Sequence, residues 1–329
     1  MKVRLLKQRM SIFLFLIPLL FFAELVHPQE EEIAKYPSRP ITFITPLPAG
    51  STGDLAPRLI CKEAEKFLGQ PIVVVNKPGG GTTIGTAAIA ASKPDGYTIG
   101  YPPPSGTVVA PFMEKLPYHP LNDFQQIMQF TEANFGVTVK ADSSFKSFKD
   151  LIAYARQNPK KLTYATKGVQ DIANIPMVQI AKKEGVQMNL MPFKGGSEIM
   201  AALLGGHIDI GVGDFSYPLL EAGQVRLLVL LGEKHRIEYT QTPILKDIGY
   251  DILPAPIFIN IAGPKGIPEE IVKKLEEAFT KAMNEPAFIK GLKELRFPIV
   301  YRNSREMTDL MVTYYKAYGI ILKEMGLSK

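Results

Sequence analysis

A single cysteine and four histidines are all that this 329-residue chain offers to zinc, haem or thiol chemistry. Cys61 has no second cysteine to pair with, so no internal disulfide can contribute to stability. It sits among Leu59, Ile60 and Ala64 in a helical pattern and reads as a packing residue. His27, His119, His207 and His235 are scattered, without H-E-x-x-H or a cysteine partner at metal spacing, and three of them stand beside Pro or Gly in turns. No serine occupies a G-x-S-x-G elbow; Ser197 has Gly195 before it but Ile199 where the second glycine belongs. The run Gly79-Gly80-Gly81 fails as a dinucleotide fingerprint at Ile84, and no G-K-[ST] follows it. Calcium loops with alternating acidic positions are missing as well. No metal, no cofactor and no catalytic residue is expected, and the chain is not read as an enzyme.

Long apolar runs are also missing. The run from Ser11 to Phe22 covers 12 residues and contains Pro18, short of the ~20 that a spanning helix needs. Preceded by Lys2, Arg4, Lys7 and Arg9, it has the layout of a secretory signal peptide, with an uncleaved membrane anchor as the alternative. Cys61 is too far downstream to be a lipidated cysteine. Residues 1–35 are therefore read as signal peptide plus an acidic tether (Glu30, Glu31, Glu32), and the remainder as exported to the periplasm. The net charge of +6 is spread along the chain with no basic run interleaved with aromatics, so no nucleic-acid partner is expected.

What is present is chain enough for about two domains, with 46% hydrophobic residues to fill them. Short β-branched runs alternate with helical patterns: 41–45, 54–68, 72–75, 83–91 and 98–101, the rhythm of a parallel sheet. A second series starts at Val137 and runs through strands near 162–165, 189–191, 208–212 and 226–230, with helices at 148–157, 172–183 and 198–204. An apolar strand at 257–262 and two C-terminal helices follow. The last helix lines up Met307, Leu310, Met311, Tyr314, Tyr318, Ile321 and Leu322 on one face. This order predicts an α/β molecule of two lobes: residues 36–136 plus 256–329 as a discontinuous first lobe, and 137–255 inserted as the second. Two connections would form a hinge beside an interlobe cleft.

The informative segments fall between predicted strands and helices, where ligands of open α/β sheets collect and free backbone N–H groups point outward. They are Pro48-Ala49-Gly50-Ser51-Thr52 with Asp54; Gly81-Thr82 at the end of the glycine run; Ser105 and Thr107; and Thr166, Gly168, Gln170 and Asp171 in the second lobe. Phe193, Lys194 and Asp214 complete the candidate ligand-binding set. Several helix N-termini converging on one cleft make a carboxylate site without a buried Arg. Each segment also has an ordinary structural reading, Asp54 as a helix cap and Ser105 and Thr107 as turn residues.

At these residues the chain resembles the substrate-binding proteins of tripartite tricarboxylate transporters, the TctC or Bug family. The likeness runs from Tyr36-Pro37-Ser38-Arg39-Pro40-Ile41 through Asn76-x-Pro78-Gly79-x-Gly81 with Ile84-Gly85, and Pro94-Asp95-Gly96-Tyr97-Thr98. It continues in Leu116-Pro117-Tyr118, Asp123-Phe124, Pro192-Phe193-Lys194-Gly195 and Leu204-Gly205-Gly206 with Asp209. The resemblance implies a two-lobed periplasmic-binding-protein fold (type II-like) that closes over a small organic acid or amino-acid-like ligand. It also implies docking on membrane permease subunits, with the receptor itself a monomer. In the family, the loops matching Pro48 to Asp54 and Thr166 to Asp171 grip carboxylates through backbone amides, hydroxyls and water. Two other readings stay open: a receptor presenting its ligand to a membrane sensor kinase, and a small-molecule enzyme on the same fold.

Two departures from the family pattern bear on the ligand. The usual P-F-P-P-G-G reads Pro46-Leu47-Pro48-Ala49-Gly50-Ser51, and Y-G-S-x-G-x-G-[ST] reads Tyr164-Ala165-Thr166-Lys167-Gly168-Val169-Gln170-Asp171. An ionised Asp171 facing the cleft would repel a second ligand carboxylate by several kcal/mol, unless Lys167 or Lys194 offsets it. A ligand with an amine or a neutral polar end there is the alternative. Bulky replacements at Gly50 or Gly168 are expected to be severe.

Overall fold

The β-branched and aromatic runs build two separate sheets. The computed structural model describes residues 35–133, 135–236 and 239–329; the expected signal peptide lies outside the described residues. The first sheet starts with β1 (Ile41–Thr45), β2 (Ile72–Asn76) and β3 (Thr98–Gly100), all parallel, with β1 in the middle of the three. Helix α1 (Thr52–Leu68) joins β1 to β2, and α2 (Thr83–Ala90) joins β2 to β3. After β3 a π-helical turn (Ser105–Val109) runs into α3 (Ala110–Met113).

The second sheet comprises β5 (Phe135–Lys140), β6 (Thr163–Thr166), β7 (Asn189–Pro192), β8 (Ile210–Asp214) and β9 (Val225–Leu230), ordered β7-β6-β8-β5-β9. Its helices are α4 (Phe148–Gln157), α5 (Asn174–Glu184), α6 (Gly196–Leu204) and the short α7 (Tyr217–Glu221). The chain then returns to the first sheet as β10 (Phe258–Pro264), every residue of which is buried, antiparallel to both β3 and β4 (Phe124–Glu132). The completed first sheet reads β2-β1-β3-β10-β4-β11, with β11 the strand Ile299–Arg302. Phe43, Phe130, Phe279 and Phe288 fill the larger lobe, and Val137, Leu151 and Ile180 the smaller, all fully buried.

Two elements depart from the sequence reading. The nine-residue β4 is absent from it because Gln126 and Gln129 break the apolar pattern; both glutamines are buried, paired to Asn260 and Arg302 by hydrogen bonds of 2.7 and 2.6 Å. Buried amides are admissible where each finds a partner. The C-terminal region holds three helices rather than two: α8 (Glu269–Ala282), α9 (Pro286–Glu294) and α10 (Ser304–Glu324), with an edge strand β11 (Ile299–Arg302) before the last. Pro286 at the first position of α9 separates it from α8. In α10, Met307, Met311, Tyr318 and Leu322 are buried, the face that the heptad-like spacing anticipates.

The chain passes between lobes twice. β4 ends at Glu132 and β5 begins at Phe135, two residues ahead of the expected Val137. The return passes through residues 254–257. The crossings lie side by side: the Ala133 N–H donates to the Ile257 carbonyl at 2.7 Å, and the Leu231 N–H to the Phe135 carbonyl at 2.8 Å. The Tyr318 hydroxyl, from α10, donates to the Pro254 carbonyl at 3.1 Å. A pair of bonded strands fixes the direction of bending between the lobes more than a single loop would.

Candidate functional site

In both lobes the carboxyl ends of the parallel strands point at the cleft, so the loops after β1, β2 and β3 meet those after β6, β7 and β8. In the β1–α1 loop, Gly50 takes φ +76°, a left-handed turn that lets its N–H point back at Asp54. The fully buried Asp54 carboxylate accepts from the Gly50 N–H, the Arg58 Nε and the Asn76 side chain, each at 2.8 Å. Asn76 also donates to the Leu47 carbonyl at 2.8 Å. Asp54 thus braces the β1 loop against β2; its oxygens are engaged within the lobe. The Ser51 hydroxyl donates to the Pro48 carbonyl at 2.8 Å, Ala49 is exposed, and Thr52 opens α1.

The glycine run forms a tight turn ending in Thr82, which holds φ +86°. For a β-branched residue this is a strained conformation, worth roughly 1–3 kcal/mol, of the kind kept where surrounding structure requires it. The Thr82 hydroxyl is buried with no hydrogen-bond partner. Next to it, Gly81 comes so close to the other lobe that a Cβ there would lie 3.3 Å from Gln170 Oε1. Across the same gap a Cβ on Gly195 would lie 3.2 Å from Pro48 Cγ. The lobes are therefore closed on one another along these loops.

Polar contacts cross the cleft too. The Ser105 hydroxyl accepts the Ile172 N–H at 3.0 Å and donates to Asp171 Oδ1 at 3.3 Å. Asp171 is buried at 1% exposure, and its carboxylate also accepts the backbone N–H groups of Lys167 (2.8 Å) and Ala173 (3.3 Å). Asp171 therefore does not project freely toward a ligand; both oxygens are held by its own loop and by Ser105. The Thr166 hydroxyl donates to the Gly168 carbonyl at 2.9 Å, and the Thr107 hydroxyl to the Pro103 carbonyl at 3.0 Å, so both shape backbone.

The strongest electrostatic feature is one that the spacing in sequence conceals. Lys167 Nζ lies 3.0 Å from Asp214 Oδ2, with the two side chains only 11% and 15% exposed, and 5.1 Å from the centre of the Phe135 ring. β6 and β8 are parallel neighbours, which brings these residues together at the same end of the sheet. Burial works to lower the Lys167 pKa and is the largest single influence, but Asp214 and Asp171 outweigh it and push it up, so the ammonium stays charged. Burial first, then Asp214 and Asp171, push the Tyr101 phenol well above its ordinary range.

Lys167, Asp214, Tyr101, Thr82 and Ser105 line a small enclosed space of about 20 Å³, room for about one water. It shares Leu47, Thr82 and Lys167 with the lining of a groove of about 580 Å³ bounded by Pro48, Gly79 to Thr82, Phe193 and Lys194. Asp214 also borders a second groove of about 510 Å³ lined by Gly50, Ser51, Met200, Leu204, Phe215 and Tyr217. Of the sequence-derived set, Pro48, Gly50, Ser51, Gly81, Thr82, Ser105, Phe193, Lys194 and Asp214 line these spaces, while Ala49, Thr52, Asp54, Thr107, Thr166, Gly168, Gln170 and Asp171 stand outside their lining. No cluster of three or more His, Cys, Asp or Glu side chains suited to a metal occurs among the described residues. Nor is any helix among them long and apolar enough to cross a membrane.

The chain is similar to known proteins in both sequence and fold. The family model described as the tripartite tricarboxylate transporter family receptor matches residues 56–327. A curated relative from Cupriavidus necator, named "UPF0065 protein in gbd 5'region", is 35% identical over 304 residues, covering 92% of each chain. Among solved structures, one titled "Structure of a periplasmic transporter" superposes with a TM-score of 0.83 at 28% identity, covering 89% of this chain and 99% of the other. The periplasmic binding protein BugD superposes with a TM-score of 0.81 at 25% identity, covering 89% of this chain and 100% of its own.

Proposed function

Because the chain belongs to the tripartite tricarboxylate transporter receptor family, whose members are periplasmic solute-binding proteins rather than enzymes, we propose that it captures a small carboxylate-bearing solute between its lobes. It then presents the closed, loaded form to the membrane subunits of a tripartite tricarboxylate-type transporter, acting as a monomer exported by its N-terminal signal. The lobes, residues 36–136 with 256–329 and residues 137–255, move about the paired crossings.

The observation that carries this reading is the convergence of the β1–α1, β2–α2 and β6–α5 loops around Lys167. The helix N-termini that follow these loops and the little-exposed Lys167 ammonium supply positive potential at the cleft. Charge-assisted hydrogen bonds from such donors, together with burial, reach micromolar capture, about −8 kcal/mol. The test is a thermal-shift series of the purified protein against mono-, di- and tricarboxylates, aromatic acids and amino acids. A ligand at a thousand times its Kd adds roughly 4 kcal/mol of stability and a clear rise in Tm; no rise with any acid overturns the reading.

A further inference from the structure

Helix α9 ends on the wrong kind of residue. Leu295 caps it, and Arg296 follows in the left-handed region at φ +56°, with the Phe297 N–H donating to the Leu292 carbonyl at 2.9 Å. Glycine is favoured at such a position because it has no Cβ to clash there. Helices α1 and α5 follow that rule, ending on Gly69 at φ +69° and Gly185 at φ +63°. At α9 the strain of a full side chain is kept, and the side chain reaches the other lobe. The Arg296 guanidinium lies 4.2 Å from the centre of the Tyr217 ring and 3.7 Å from Glu221 Oε1. The Tyr217 hydroxyl donates to that same Glu221 oxygen at 2.7 Å, so one turn of α7 presents ring and carboxylate together. A planar guanidinium can stack on the first while pairing with the second. The contact borders the cleft: Glu294 and Leu295, just before Arg296, line the groove beside Asp214 from one lobe, and Tyr217 lines it from the other. By contrast, the Arg236–Glu132 pair at 2.8 Å joins the lobes beside the crossings, where bending moves its partners least.

We infer that Arg296 is a positioning residue for closure, a latch whose backbone strain is retained because its side chain clasps Tyr217 and Glu221 when the lobes are shut. This rests on the reading that the lobes move about their paired crossings, and it is independent of which solute they hold. A helix end that served only its own lobe would be better off with glycine. Arg296 is strained in the open and closed forms alike, whereas its contact with α7 exists in the closed form alone. The guanidinium is 30% exposed and the Glu221 side chain 59%, so the contact shifts the balance by a few fold rather than by orders of magnitude. Such a latch biases the cleft toward closure without locking it, as suits a receptor that must also release what it captures.

The test is amide hydrogen exchange of the ligand-free protein, read at Ile172, whose buried N–H donates across the cleft to the Ser105 hydroxyl at 3.0 Å. That amide reaches solvent when the lobes part, so under conditions where exchange follows the opening equilibrium its rate reports closure. Arg296→Gly and Arg296→Ala are each expected to speed it about three- to fivefold. Because only glycine relieves the strain, Arg296→Gly should nevertheless melt about 2 °C above Arg296→Ala. Tyr217→Leu should speed the exchange to a similar extent, and adding Arg296→Gly to it should change the rate less than about twofold, since the two residues make one contact. An Ile172 rate that Arg296→Gly leaves unchanged, additive effects in the double variant, or an Ile172 amide without protection in the wild-type protein each overturns the latch. Equal melting of the Gly and Ala variants overturns the strain argument. None of these results touches the carboxylate-receptor reading, which stands or falls on the thermal-shift series.

Discussion

Ser105 and Asp171 belong to different lobes, and the Ser105 hydroxyl joins them, donating to Asp171 Oδ1 at 3.3 Å while accepting the Ile172 N–H at 3.0 Å. One side chain therefore satisfies two groups of the opposite lobe only when the cleft is shut. Elsewhere the closed form is held at the rim, where Arg296 lies 4.2 Å from the centre of the Tyr217 ring and 3.7 Å from Glu221. Rim ion pairs contribute little. The buried Ser105 contact has more leverage on the open–closed balance.

Ser105→Ala should shift that balance toward the open form. Loss of two buried hydrogen bonds, one of them charge-assisted, weakens closure by about 1–3 kcal/mol, and apparent ligand affinity falls by about tenfold. Small-angle scattering of the ligand-free variant should show a larger radius of gyration than the wild type. An unchanged radius together with unchanged affinity would show that this contact does not govern closure.

Asp171→Ser removes a buried carboxylate that acts on Lys167 and so leaves more of that ammonium's charge for a ligand. Relative affinity for dicarboxylates over monocarboxylates should rise by about tenfold. Because the N–H groups of Lys167 and Ala173 lose their acceptor, stability should fall by about 1–3 kcal/mol. A competition assay against a common fluorescent ligand reads the first effect and a denaturant melt the second. An unchanged ranking of acids would sink the argument that Asp171 sets ligand charge.

Much of the fold is legible because each helix of a doubly connected α/β lobe carries its own amphipathic stripe and each loop its own glycines. Helix 148–157 is a clear case, opened by the capping box of Ser147 and Asp150 and burying Phe148, Leu151, Ile152 and Ala155. Strand β4 is not legible, since its buried glutamines are made admissible only by Asn260 and Arg302, more than a hundred residues away. The same holds at the site. The glycine-bearing loops announce themselves locally, whereas the pairing of Lys167 with Asp214 depends on β6 and β8 being spatial neighbours. Asp171 could be placed near the cleft from its position after β6, but its saturation by Ser105 is a property of the closed lobes.

Glycines of the cleft should separate into two classes. At Gly85 a Cβ would lie 2.7 Å from the Lys77 carbonyl oxygen and 2.8 Å from Pro46 Cβ. Gly85→Ala must therefore push apart the β1 and β2 loops, destabilising by about 2 kcal/mol or more and loosening ligand binding with it. Gly50 and Gly168 have open space around the missing Cβ, so bulk is no obstacle; the penalty lies in φ of +76° and +122°. Gly50→Ala should cost only about 1 kcal/mol, and Gly168→Ala about 1–3 kcal/mol. Equal melting temperatures for the Gly50 and Gly85 variants would contradict the distinction.

Alkaline pH should unfold the protein through its buried tyrosines. Tyr164 is 5% exposed and donates to Asn174 Oδ1 at 2.9 Å, and burial pushes its phenol up to about 12. Tyr101 and Tyr118 are raised further, again chiefly by burial. In the unfolded chain a tyrosine ionises near pH 10. Below that value both states are neutral and the burial of the phenols is undisturbed. Above it the unfolded state releases protons that the folded state retains, so each such tyrosine removes stability at about 1.4 kcal/mol per pH unit until its folded pKa is passed. The expected result is a cooperative transition between about pH 10 and 12, followed by tyrosinate absorbance near 295 nm in a chain without tryptophan. Tyr164→Phe should move its midpoint to higher pH at unchanged helicity. A gradual, uncooperative rise in tyrosinate beginning at pH 10, with secondary structure intact, would mean that these phenols are reached by solvent in the folded state.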